Sequence, residues 1–178
     1  MYKRVLRSLW LSLALIVGSV APLAFMPNAS AQSGEAPTET QEFGPWMVAC
    51  TTNTVYRYTF CNTFHNKTLS DAADDVVRFG VTRTLGTERF GLVSLEGGLS
   101  PGSRIVISVD KAQTWTFESP GNVALLVPPA ESKKIIDQLL TGKTVRVTFT
   151  PAGRSQQVIE VSLATFPEAL KRAREKAK

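Results

Sequence analysis

Residues 144–150 read TVRVTFT. In an extended chain Val145, Val147 and Phe149 fall on one side, and Thr144, Arg146, Thr148 and Thr150 on the other. That is the two-residue period of a strand with one face in a core. The same period recurs on both sides of this stretch. RIVISVD (104–110) aligns Ile105, Ile107 and Val109, and QTWTFES (113–119) alternates Trp115 and Phe117 with Thr114, Thr116 and Glu118. VIEVSL (158–163) lines up Ile159, Val161 and Leu163, and VVRFGV (76–81) lines up Val77, Phe79 and Val81. FGLVSL (90–95) is apolar on both sides and reads as a central strand. Turn signals at Gly97-Gly98, Ser100-Pro101-Gly102 and Pro151-Ala152-Gly153 separate the strands. Short alternating strands with such turns predict antiparallel sheets packed face to face.

Two segments follow a helical period. ESKKIIDQLLTG (131–142) puts Ile135, Ile136, Leu139 and Leu140 on one face and Lys133, Lys134, Asp137 and Gln138 on the other, with Gly142 as the C′ residue that ends it. PEALKRAREKAK (167–178) starts on Pro167, has a thin apolar side of Leu170 and alanines, and is expected to fray toward Lys178. The fold expected is mainly β: an antiparallel β-sandwich with one inserted helix and a short C-terminal helix.

The N-terminus reads as an export signal. Lys3, Arg4 and Arg7 precede an apolar run from Leu9 to Val20, and Ala29-Ser30-Ala31 supplies the small-x-small pattern of a cleavage site. Residues 1–31 are expected to be removed, residues 32–42 to form a disordered lead-in, residues 43–170 to fold, and residues 171–178 to form a charged helical tail. Removal takes away three cations and no anions. It leaves 17 Lys+Arg against 15 Asp+Glu, so the formal net charge falls from +5 to +2. No concentrated basic stripe remains for a nucleic-acid partner, and no later segment is apolar enough to span a bilayer. The expected localisation is the periplasm, free or associated with the cell envelope.

Export gives the cysteines their meaning. FGPWMVACTTNTVYRYTFC (43–61) contains both, Cys50 and Cys61. In an oxidising compartment two nearby cysteines read as a disulfide, since zinc wants four ligands and a redox pair wants CxxC spacing. The bridge is expected to staple a hairpin of Trp46–Cys50 and Arg57–Phe64 around a polar turn at 51–54. The enclosed loop, with Tyr56, Arg57 and Tyr58, is the expected interaction surface, because a staple lowers the ordering cost of binding.

The chain shows no catalytic constellation, no cofactor motif and no metal-ligand spacing. His65, the only histidine, lacks a GxSxG or comparable partner and reads as a partly exposed strand-end imidazole. Ser70-Asp71-Ala72-Ala73-Asp74-Asp75 lacks the spacing of a calcium loop, and Gly97-Gly98 precedes a turn rather than a helix. Trp46 and Trp115 read as core. Lys171, Arg172, Arg174, Lys176 and Lys178 alternate with Glu168 and Glu175 and read as a solvated face.

The order of four blocks resembles the invasion-associated locus B family of bacterial exported proteins. They are Trp46 with Cys50; Leu99-Ser100-Pro101-Gly102 leading to Val109-Asp110; Leu140-Thr141-Gly142 before a strand; and Val161-Ser162-Leu163 before a short helix. The match runs from about Phe43 to Leu170. It implies a β-rich envelope protein without an established reaction, in a family named for host-cell invasion. Members often carry a second cysteine pair where this chain has Ser119, Gly121 and Asn122, which marks a divergent branch. The function expected is a non-catalytic binding or interaction module whose partner is a protein or envelope component. A periplasmic enzyme or enzyme inhibitor, and a chaperone-like envelope factor, are the alternatives.

Overall fold

The computed structural model describes residues 38–70, 75–94, 97–111, 113–121 and 124–177. The expected leader (1–31), residues 32–37 of the lead-in, Asp71 and Asp74 lie outside the described residues. Among the described residues ten strands and two helices follow one another as β1 (Glu39–Phe43), β2 (Trp46–Asn53), β3 (Tyr58–Thr68), β4 (Val76–Thr84), β5 (Thr87–Ser94), β6 (Arg104–Val109), β7 (Gln113–Glu118), β8 (Ala124–Leu126), α1 (Pro129–Thr141), β9 (Thr144–Phe149), β10 (Gln157–Ser162) and α2 (Phe166–Lys176). They form two antiparallel sheets, ordered β1-β2-β3-β4-β5-β8 and β10-β9-β6-β7. The mainly β sandwich with one inserted helix and a C-terminal helix is the fold the alternation predicts.

Register places the apolar positions of neighbouring strands side by side. In the larger sheet Val48 lies opposite Thr63, Thr63 opposite Val81, and Val81 opposite Phe90. In the smaller sheet Ile107 lies opposite Val147, and Val147 opposite Ile159. One contiguous cluster of buried apolar side chains draws on both sheets and both helices, and all of it falls between Trp46 and Ala177. Residues 32–178 therefore contain the whole of the described core.

Several boundaries differ from the sequence expectation. Order begins before Phe43, because Glu39–Phe43 pairs with β2, Glu39 opposite Cys50. This edge strand buries almost no apolar area, so it leaves no hydrophobic signature; backbone pairing and ion pairs from Glu39 hold it. The first hairpin is longer than expected. Thr51 and Thr52 continue β2, as β-branched residues favour, and the Thr52 and Thr59 hydroxyls bond across the strands at 2.9 Å. The turn accordingly sits at 54–57. β5 is an interior strand, flanked by β4 and β8, but it is fully buried on one face only, through Phe90, Leu92 and Ser94.

The C-terminal helix is part of the domain rather than a fraying tail. Phe166, Ala169, Leu170 and Ala173 are buried, and the Phe166 ring meets the Trp46 ring at 4.7 Å. Trp46 Nε1 donates to the Ser162 carbonyl at 2.8 Å, and Thr165 Oγ1 donates to the Phe43 carbonyl at 2.6 Å. These bonds clamp the chain's last segment onto its first hairpin. The helix cations, expected as a solvated face, make ion pairs: Arg172 and Lys176 with Glu39, Arg174 with Glu88. Gly142 ends α1, but with φ −79° rather than a left-handed one. Close approach is what demands glycine there, since a Cβ would overlap Val109 Cγ1.

Candidate functional site: the end of the stapled hairpin

Cys50 and Cys61 are disulfide-bonded and sit directly opposite one another in the β2–β3 ladder, Cα to Cα 4.1 Å. Closing a loop of this length stabilises the fold by about 3 kcal/mol on the chain-entropy model. Beyond the bridge the ladder continues for three pairs to Asn53–Tyr58. Asn53 Oδ1 then accepts the Tyr56 backbone N–H at 2.9 Å, an Asx-type bond that folds the turn back. Thr38 and Thr51 hydroxyls bond at 2.8 Å, tying β1 to the same hairpin.

This turn presents apolar side chains to solvent. Val55 is 68% and Tyr56 76% exposed. The neighbouring β4–β5 turn does the same with Leu85, 70% exposed. Both turns leave the same end of the larger sheet, because β3 and β4 pair antiparallel with Cys61 opposite Arg83. Thr84 lies opposite Thr87, so Leu85-Gly86 is a two-residue loop, and both residues have positive φ (48° and 79°). Such loops strongly prefer Asn-Gly or Asp-Gly. A leucine in the left-handed region carries a steric cost and here gains no burial in return. Arg57 is likewise left-handed, at φ 54°.

Of the expected interaction residues, Tyr56 and Arg57 stand exposed at the turn, whereas Tyr58 is drawn into β3. Tyr58 is half-buried there, its ring 6.4 Å from that of Phe60. Leu85 escaped the sequence reading. Its signal was an apolar residue before glycine at a hairpin position that normally takes Asn or Asp.

Below the two turns lies a belt of ion pairs. Glu88 receives Arg83 at 2.9 Å and Arg174 at 2.7 Å. Glu39 receives Lys176 at 2.9 Å and Arg172 at 3.6 Å, and Asp137 receives Lys133 at 2.7 Å. Five cations thus share three carboxylates. The hydrogen bond from Arg174 holds the Glu88 carboxyl below its ordinary value of 4.5 against the opposing effect of burial, with Arg83 adding to the shift. Lys176 does the same to Glu39.

Other expected centres resolve into structure. His65 lies within β3 rather than at its end, half-buried, its ring 6.2 Å from that of Trp46 and 5.7 Å from that of Phe79. Its Nδ1 donates to the Pro45 carbonyl at 2.7 Å, which places the proton on that nitrogen. Trp46 is fully buried; Trp115, on the edge strand β7, is half-buried. Asp75 is buried and paired with Arg154 at 2.5 Å, and its carboxyl is held below 3.8 first by a hydrogen bond from Ser70 and then by Arg154. Among the described residues no three His, Cys, Asp or Glu side chains cluster as a metal site, and no helix is long and apolar enough to cross a membrane.

A shallow concavity of about 390 Å3 lies where β6 meets the α1–β9 connection, lined in part by Asp110, Lys111, Lys143 and Arg146. The Asp110 carboxylate accepts the Lys143 and Thr144 backbone N–H groups at 2.9 and 2.8 Å. Asp110 is therefore a latch from the Val109-Asp110 block to the residues that directly follow Leu140-Thr141-Gly142. Among the described residues the most exposed large apolar side chains are those at the hairpin end. No family model, curated protein or solved structure matches this chain.

Proposed function

We propose that this chain is an exported, periplasmic or envelope-associated binding module of the invasion-associated locus B type. It acts by contact through the stapled hairpin end rather than by a reaction. The resemblance in block order supports the family, and the disulfide suits an oxidising compartment. The observation that carries the reading is the position of Val55, Tyr56 and Leu85, three large apolar side chains exposed together on two adjacent turns. Large apolar side chains left exposed at one end of a sheet are candidates for an interaction site. A disulfide three residue pairs below pre-orders one of those turns, which reduces the entropy lost on association. A role in host association follows from the family resemblance.

A photo-crosslinking residue placed at Tyr56 in cells tests the reading. Adducts, to protein or to lipid, are expected from position 56 and not from Val158, an apolar position on β10 that is 45% exposed. Equal yields from the two positions would overturn it. Catalysis through His65, the alternative, predicts a turnover that disappears in His65→Ala while the folded fraction is retained.

A further inference from the structure

Resting on that reading, we propose that the partner of the hairpin end is an anionic phospholipid surface. Val55, Tyr56 and Leu85 enter the headgroup layer, and the ion-pair belt faces the lipid phosphates.

Two features of this end argue for lipid. The apolar groups are at turn tips, not in a groove. Val55 and Tyr56 cap one hairpin and Leu85 the next, each the outermost part of its strand pair. Projecting tips of one aromatic and two aliphatic side chains suit insertion into a soft, deformable layer, where an aromatic ring with a polar tip sits at the interface. The second feature is charge. Arg83, Lys133, Arg172, Arg174 and Lys176 are matched by only Glu39, Glu88 and Asp137. Arg57, at the tip itself, makes no ion pair among the described residues. With Glu175, which stands exposed between Arg174 and Lys176 on α2, this end carries six cations against four carboxylates, an excess of two that equals the whole net charge of residues 32–178. Basic groups next to an anionic leaflet are attracted in proportion to their number, within a Debye length of the surface.

Backbone conformation points the same way. Asparagine at position 85 would relieve the left-handed backbone and remove an exposed apolar group, so leucine is the worse choice for folding and the better one for insertion. The two effects of Leu85→Asn are therefore opposite in sign, which separates docking from stability.

The test uses the disulfide-bonded chain of residues 32–178, which contains the described core, without the apolar N-terminal segment that would itself partition into lipid. Its co-sedimentation is measured with phosphatidylcholine vesicles and with vesicles that also contain phosphatidylglycerol. Binding is expected only to the anionic vesicles, and it should weaken as salt is added. Leu85→Asn and Tyr56→Ser are each expected to lower the apparent affinity about tenfold, the scale of one large apolar side chain withdrawn from a partner. Leu85→Asn should at the same time leave Tm unchanged or raise it. Equal binding to both vesicle types, or anionic binding unaffected by the two substitutions, overturns the proposal. Failure with vesicles while position 56 crosslinks to a protein in cells also overturns lipid docking and leaves the binding-module reading standing. Failure of both experiments removes both readings.

Discussion

The two ends of the β2–β3 hairpin are built to opposite rules. At the root Trp46, Val48, Cys50 and Cys61 are buried in the core, and the Trp46 ring packs against those of Phe79 and Phe166. At the tip, a few residues beyond the bridge, Val55 and Tyr56 face solvent. Apolar side chains at the root lower the free energy of the folded chain because folding removes them from water. The same kind of side chain at the tip gains nothing from folding, so only an association can bury it. The disulfide is the border between the two regimes.

The contrast is open to measurement. Trp46→Ala should cost about 3–5 kcal/mol in denaturant unfolding, since it leaves a large cavity and orphans the Ser162 carbonyl; a loss no greater than that of a tip substitution would break the division. Replacing both cysteines, Cys50→Ser with Cys61→Ser, should cost about 3 kcal/mol and accelerate hydrogen exchange at the Tyr56 amide, whose acceptor is Asn53.

Acid should act on the belt beneath the tip. The carboxyls of Glu88 and Glu39 titrate below 4.5 in the folded chain, and that of Asp75 below 3.8. The unfolded chain therefore binds more protons in that range, and stability present above about pH 5 is lost as pH falls through those folded values. For Glu88 the effect is on the order of 1 kcal/mol, and Glu88→Gln should show a shallower fall in Tm between pH 5 and 3. Thr63 sharpens the rule for the root. Its hydroxyl is buried without a hydrogen-bond partner between Val48 and Val81, so Thr63→Val should be neutral or stabilising by up to about 1 kcal/mol. Smallest of all, Tyr56→Ser should change unfolding free energy by less than about 0.5 kcal/mol, as exposed positions do.

How legible each part was depended on whether its cause was local. The strands of the smaller sheet could be read from alternation because Ile105, Ile107, Val145 and Val147 each signal burial by their own spacing. β1 could not be read, since Glu39-Thr40-Gln41-Glu42 has no apolar period and is held by β2 and by cations more than 130 positions away. The same distance hid the docking of α2, whose small buried face of alanines looked too thin until Trp46 and Phe166 met. Within the candidate site, the disulfide and the exposure of Tyr56 were readable from the cysteine spacing and the polar turn. Leu85 was not, because its partner turn lies some thirty residues earlier.

Periodicity, the two cysteines and the helical stretches before Gly142 and after Pro167 determined by themselves that this protein is a mainly β sandwich with one staple and two helices. These are short-range properties, carried by which side of a strand or helix a residue occupies. Only tertiary structure decided which segments share an end of the sheet. It brought Val55, Tyr56 and Leu85 together and placed five cations over three carboxylates beneath them. Strand order and long-range pairing set those neighbours, and no local pattern encodes them.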